Sequence, residues 1–183
     1  MTMLDIGCGL GGASRAMRER GWRVIRVDWM ADIAPDVVAD MRALPFRKIA
    51  VDLLWVSTSC SQFTNWRLPW KTCVAARRPI DLSCELSAKE FIAQLGPRFW
   101  VVENVYSSRE HLTPIFGPVR VQSGSHALWG NLPGLMPQVW NHDKSTYRSR
   151  FKGRKRHLLR SVIPYDLSLA LAIATERRVN DNG

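Results

Sequence analysis

Apolar residues come in short blocks broken by glycines, prolines and polar turns, and the blocks alternate between two periods. Leu4-Asp5-Ile6 reads as a short strand that breaks into glycines from Gly7, after which Ala13, Ala16 and Met17 recur at helical spacing. Gly21 closes that helix, and Arg23 to Val27 alternates as a second strand. Val37-Val38-Ala39-Asp40 predicts a third strand and Val51 to Val56 a fourth. Strand, helix and strand in this succession predict βαβ units of a mostly parallel, doubly wound α/β sheet. Ligands of such sheets bind at the carboxyl ends of the strands, where Asp5, Asp28, Asp40 and Cys60 all fall.

The second half continues the pattern with more interruption. Trp66, Pro69, Trp70, Arg77, Arg78 and Pro79 predict a loop of about 20 residues, a length that is usually functional in a compact domain. Cys84, Ala88, Phe91, Ile92 and Leu95 mark one face of an amphipathic helix ending at Gly96-Pro97. Phe99 to Val102 predicts a fifth strand that delivers Glu103-Asn104-Val105 to the same sheet edge. Two further strands are expected at Val119 to Gln122 and His126 to Trp129, separated by Ser123-Gly124-Ser125. Pro164 then opens a last helix whose stripe is Leu167, Ala170, Leu171 and Ala174. The chain shows no internal repeat and no low-complexity run.

With 183 residues, 46% of them hydrophobic, residues 1–183 are expected to form one domain. There is no basic, apolar leader and no apolar run of the roughly 18 residues a membrane span needs, so a soluble, cytoplasmic protein without membrane contact is expected. Cys8, Cys60, Cys73 and Cys84 have neither disulfide-framework nor metal-type spacing, which predicts free thiols and no metal. The net charge of +10 is concentrated. Lys144, Arg148, Arg150, Lys152, Arg154, Lys155, Arg156 and Arg160 fall together with no acid among them, leaving the remainder close to neutral. A near-neutral body with one cationic segment is what phosphate-backbone binding needs; a solvated basic loop is the alternative.

Two stretches carry candidate chemistry. Gly7, Gly9, Gly11 and Gly12 would let the backbone approach a ligand, and Asp28, about 20 residues on, stands where a carboxylate can accept both hydroxyls of a ribose. Trp29 offers a face for an adenine. Gly7, Gly9 and Gly12 also fit G-x-G-x-x-G, which keeps a dinucleotide cofactor open. The second stretch, Val56 to Thr64, turns from an apolar strand into polar residues around Cys60, the layout of a reactive strand-end loop.

In fixed order, then, come a glycine turn (Asp5 to Gly12), a cysteine loop (Ser59 to Thr64) and Glu103-Asn104-Val105. Together they resemble the DNA cytosine-5 methyltransferases, which carry D-x-F-x-G-x-G-G, P-C-Q-x-F-S and E-N-V. The resemblance covers residues 3 to 105 well and the rest loosely. It implies a Rossmann-like class I methyltransferase fold and methylation of cytosine at C5 in DNA with S-adenosylmethionine as donor. Carbon 5 of cytosine is a poor nucleophile, so a thiolate, here Cys60, must add at carbon 6 while Glu103 hydrogen-bonds or protonates the ring nitrogen. By the same resemblance Asp5, Gly7, Gly9, Leu10, Gly11 and Gly12 cradle the donor, Asp28 takes its ribose, Trp29 its adenine and Asp40 the adenine amine. Phe63, Asn104 and His126 fall to the substrate, and Arg148, Arg150, Arg154, Lys155 and Arg156 to DNA. The target base must be flipped out of a duplex or lie in a single strand.

The departures sharpen the expectation. Gly7 stands for the family's Phe, Ser59 and Ser61 flank the nucleophile in place of Pro and Gln, and Gln122 to His126 lacks both arginines of Q-x-R-x-R. His126, or an arginine of the basic segment, would substitute for them. Pro164 to Ser168 resembles the family's closing motif, which implies a helix beside the first strand. A basic insertion at about 141–160 replaces a target-recognition domain, as in a minimal enzyme of the kind phages and mobile elements carry, and a homodimer would add surface. The alternatives are a methyltransferase acting on RNA or an exocyclic amine, a nucleic-acid-binding protein without turnover, and a dinucleotide oxidoreductase.

Overall fold

The computed structural model describes residues 1–46, 48–64, 79–134, 158–159 and 161–181. In these residues β1 (Thr2–Ile6), β2 (Arg23–Asp28), β3 (Val37–Val38), β4 (Leu53–Ser57) and β5 (Phe99–Val105) run parallel. β7 (His126–Asn131) pairs antiparallel with β5, and β6 (Val121–Ser123) antiparallel with β7. The described residues thus form a seven-stranded sheet of order β3-β2-β1-β4-β5-β7-β6. This is the Rossmann-like, mostly parallel α/β fold expected from the sequence.

Alternation along the strands divides the core. Met3, Leu53, Trp55, Val101 and Leu128 point to one face, where they meet α1 (Arg15–Glu19) and α5 (Tyr165–Asn180). Leu4, Ile6, Leu54, Val56, Val102 and Trp129 point to the other, against α3 (Ser83–Leu95) and α4 (Arg109–Phe116). Each such side chain, taken fully out of water, contributes about 1.5–3 kcal/mol before the entropy of ordering it. The helix on α1's face that closes the chain is the one the sequence placed beside the first strand.

Helix boundaries follow local chemistry. Gly96, in the left-handed region at φ 59°, stops α3 where expected. The first helix starts later than its spacing predicts, because Gly11 at φ 76° takes the chain through a turn and only Arg15 begins the regular part. α4 is not predicted from the pattern, since Pro114 lies inside it. In α5 the buried stripe is Leu167, Ser168, Leu171, Ala172 and Thr175, with Ala170 and Ala174 only half-buried. The short helix α2 (Ser61–Thr64) follows directly on Cys60.

The strand order reverses direction of growth between β1 and β4, which makes a crevice at their carboxyl ends. The glycine turn leaves β1 and the Cys60 loop leaves β4, so the two stretches of candidate chemistry flank that crevice. No helix among the described residues is long and apolar enough to cross a membrane.

Candidate active site

The glycine turn is built by close backbone packing. Gly7 N and Cys8 N donate to the Val27 carbonyl at 2.9 and 3.1 Å, and Gly9 N donates to Asp28 Oδ2 at 2.9 Å. A Cβ on Gly7 would stand 2.1 Å from the Ser57 carbonyl oxygen, and one on Gly12 2.7 Å from the backbone of Ile163. Gly9 instead faces space with no protein atom within 4 Å of a Cβ position. Glycine at position 12 is therefore demanded by the segment that leads into α5. Asp5 serves the packing of the turn as well. It is fully buried, with Ser14 Oγ donating to its Oδ2 at 2.6 Å, so it supports the turn from below and does not touch a ligand with its side chain. Burial pushes Asp5 up to about 7, against the pull of the Ser14 hydroxyl and Arg26.

Around the rim, Leu10 and Trp29 are exposed, Trp29 to 71%, and a flat aromatic face open to solvent suits an adenine. Asp28 is buried, its Oδ1 accepting from Met30 N at 3.0 Å, so it joins the glycine turn to the end of β2. Asp40 is exposed, but Arg42 engages it through backbone N and Nε, both at 2.9 Å, and holds its carboxyl down at about 2. The open space at Gly9, the exposed Trp29 and the carboxylate at the β2 end fit a nucleoside-bearing donor with an extended chain.

Across the crevice, Ser57 at the end of β4 is in register with Glu103 of β5. Cys60, half-buried, follows three residues on, and its carbonyl accepts from Phe63 N at 3.1 Å in the first turn of α2. Glu103 is nearly buried, and His126 Nδ1 lies 2.9 Å from its Oε1. Because β7 is antiparallel, its first residue reaches the carboxyl edge and meets Glu103 diagonally, on one face of the sheet. The cysteines seen elsewhere are poor nucleophiles: burial pushes Cys8 up to about 12 and also raises Cys84.

Two substrate assignments are corrected. Phe63 is 2% exposed and stacks on His111 with ring centroids 5.7 Å apart, so it belongs to the core beneath α2. Asn104 is 1% exposed; its Nδ2 donates to Thr58 Oγ1 at 2.8 Å, and its Oδ1 accepts from Val105 N at 2.7 Å. Alternation sends Asn104 to the opposite face from Glu103, away from the crevice. Arg148, Arg150, Arg154, Lys155 and Arg156 lie outside the described residues, as does Cys73.

Sequence reasoning passed over Thr58, Ser14, Ser168 and Glu85. Ser168 Oγ donates to the Ala13 carbonyl at 2.7 Å and accepts from Ala16 N at 3.0 Å, which locks α5 to the start of α1. Glu85 is 1% exposed on the apolar face of α3. Its signal was a carboxylate three residues before Ala88 and seven before Ile92, inside the buried stripe.

Residues 4–79 match the family model described as a methyltransferase domain. Over those residues the chain is similar to a methyltransferase domain. That domain family uses S-adenosylmethionine as methyl donor, which bears out the cofactor expected from the sequence. No curated protein sequence matches the chain. Among solved structures, a methyltransferase of Entamoeba histolytica, EhMeth, is similar over 85% of this chain and 62% of its own, with 12% sequence identity and a TM-score of 0.49. The chain thus spans less than two thirds of that protein's length. The methyltransferase domain match covers the glycine turn, β2 and the Cys60 loop, and it ends before Glu103 and His126.

Proposed function

We propose that this chain methylates carbon 5 of cytosine in DNA, with Cys60 as the nucleophile. The observation that carries the reading is the register Ser57 to Glu103 beside the glycine turn, which gathers a thiol, a carboxylate and a donor cradle at one crevice. S-adenosylmethionine supplies a methyl group on a sulfonium. The Cys60 thiolate adds to carbon 6 of the cytosine, and Glu103 stabilises the charge that gathers on N3. Carbon 5, made electron-rich, then takes the methyl group; loss of the C5 proton to a base and expulsion of Cys60 restore the aromatic ring.

His126 Nδ1, 2.9 Å from Glu103 Oε1, holds that carboxyl in place, whereas the family resemblance gave His126 to the cytosine carbonyl oxygen as a substitute for an arginine. The cationic stretch from Lys144 to Arg160 is assigned to the DNA backbone on charge alone. Duplex DNA containing 5-fluorocytosine tests the mechanism, because fluorine at C5 blocks the last proton loss. A covalent protein–DNA adduct is expected that requires S-adenosylmethionine and disappears in Cys60→Ser. Methyl transfer that survives Cys60→Ser would sink the C5 reading and favour an exocyclic amine.

A further inference from the structure

The donor side of the crevice has two walls: the glycine turn after β1, and the segment 29–36 that carries Trp29 from β2 to β3. One side chain reaches both. Arg26 of β2, in register with Asp5, runs beneath the turn, so that a Cβ on Gly11 would stand 3.6 Å from its Cδ and 3.7 Å from its Nη1. Its Nη2 donates to the Ala34 carbonyl at 2.7 Å, and its Nε lies 3.5 Å from Asp36 Oδ2 in an ion pair. The backbone N of Arg26 donates to the same Asp36 oxygen at 2.8 Å. The far end of the Trp29 segment is thus tied to the residue that packs against the turn.

Burying a guanidinium is costly, and a methionine would fill the space under Gly11 without that cost. The Arg26 side chain is nevertheless only 16% exposed. What arginine adds is the reach to Ala34 and Asp36. Ala34 holds a left-handed φ of 51°, the one non-glycine residue to do so among the described residues, and strained backbone persists only where its surroundings fix it. The bonds from Arg26 fix it. Trp29 depends on the same bonds, because at 71% exposure it has little packing of its own and takes its direction from its backbone. The near end of the segment is held by Asp28, whose Oδ1 accepts from Met30 N at 3.0 Å. Arg26 holds the far end.

We propose that Arg26 is a positioning residue for the methyl donor, setting the Trp29 segment against the glycine turn so that the adenine of S-adenosylmethionine meets the indole. The proposal rests on the donor lying between the turn and Trp29, and not on which atom receives the methyl group. Arg26 acts through the wall and not by its charge on the donor. Its loss should therefore weaken S-adenosylmethionine, a sulfonium, and S-adenosylhomocysteine, a neutral thioether, by one common factor.

The test uses the whole chain and calorimetric Kd values for both compounds, measured well below the melting temperature of every variant, in Arg26→Met, Asp36→Ala, Trp29→Ala and the two doubles that combine each of the first with Trp29→Ala. Arg26→Met should weaken both compounds about fivefold, part of the roughly tenfold that stacking on the whole ring supplies. Asp36→Ala, which removes the partner of Arg26 N and Nε, should weaken both about threefold. In the Trp29→Ala background either change should cost less than about twofold more, because the ring that Arg26 positions is already gone. A general loosening of the fold would instead give losses that multiply. Multiplying losses, a parent-like Kd in Arg26→Met, or unequal factors for the two compounds would each overturn the proposal. If Arg26→Met does not fold, Asp36→Ala alone and with Trp29→Ala decides. No methyl acceptor enters these measurements, so the two readings fail separately: should the Kd values follow the expected pattern while the parent forms no adduct with 5-fluorocytosine DNA, the positioning role stands and the assigned reaction fails.

Discussion

His126 Nδ1 sits 2.9 Å from Glu103 Oε1, across a pair of antiparallel strands and 23 residues away in sequence. Both side chains are close to fully buried, so the contact orders a carboxyl group that would otherwise be desolvated without a partner. His126→Ala should lower kcat for methyl transfer by about tenfold or more, and by leaving Glu103 unpaired should cost about 1–3 kcal/mol of stability. His126→Gln, which can still donate, should recover most of the stability. Urea unfolding together with steady-state kinetics checks both, and a calorimetric affinity for S-adenosylmethionine equal to that of the parent should accompany them.

Asp5 predicts a pH dependence. Its folded-state pKa of about 7 lies above the ordinary value of 3.8, so the folded protein binds a proton that the unfolded chain releases between those limits. Stability is therefore highest below about pH 4 as far as this group is concerned, falls as pH rises through the window, and is lower by a few kcal/mol, to order of magnitude, above pH 7. Asp5→Asn removes that ionisation and keeps an acceptor for Ser14. The melting temperature of the variant should rise relative to the parent as pH goes from 4 to 8, and a constant difference across that range would refute the assignment.

The glycines of the turn should respond differently to the same methyl group. Gly7→Ala combines a left-handed φ of 68° with a Cβ 2.1 Å from a backbone oxygen of β4, so a loss of about 3 kcal/mol or more is expected in urea unfolding. Gly9→Ala at φ 51° meets no protein atom and should cost about 1 kcal/mol of backbone strain. Its larger effect should fall on affinity for S-adenosylmethionine, because the new methyl group occupies the space the turn leaves open.

Trp29 is the opposite case, a large side chain with little to lose. At 71% exposure it contributes almost nothing to the core, so Trp29→Ala should leave the melting temperature of the ligand-free protein unchanged. Stacking on an adenine is worth about 1–3 kcal/mol per base by alanine substitution, so affinity for S-adenosylmethionine should fall about tenfold. An unchanged affinity measured by calorimetry would remove Trp29 from the donor site.

Much of this was legible along the chain because it is local. The period of Leu4 to Ile6, of Arg23 to Val27 and of Phe99 to Val102 announces strands, and Gly96 announces the end of α3, since such features depend on neighbours within a few residues. Strand ends in a parallel sheet share one edge, so the sequence alone placed Cys60, Glu103 and the glycine turn together. Which way each side chain turns at that edge was decided only by the tertiary structure. Asn104 and Phe63 carry no local mark that separates a substrate contact from a buried tie, and each was settled by partners far along the chain, Thr58 and His111. The antiparallel entry of β7 between β5 and β6 brings His126 to Glu103, and the packing of α2 against the start of α3 brings Gln62 to Asp81. Those meetings are set by packing over the whole sheet, which no window of sequence contains.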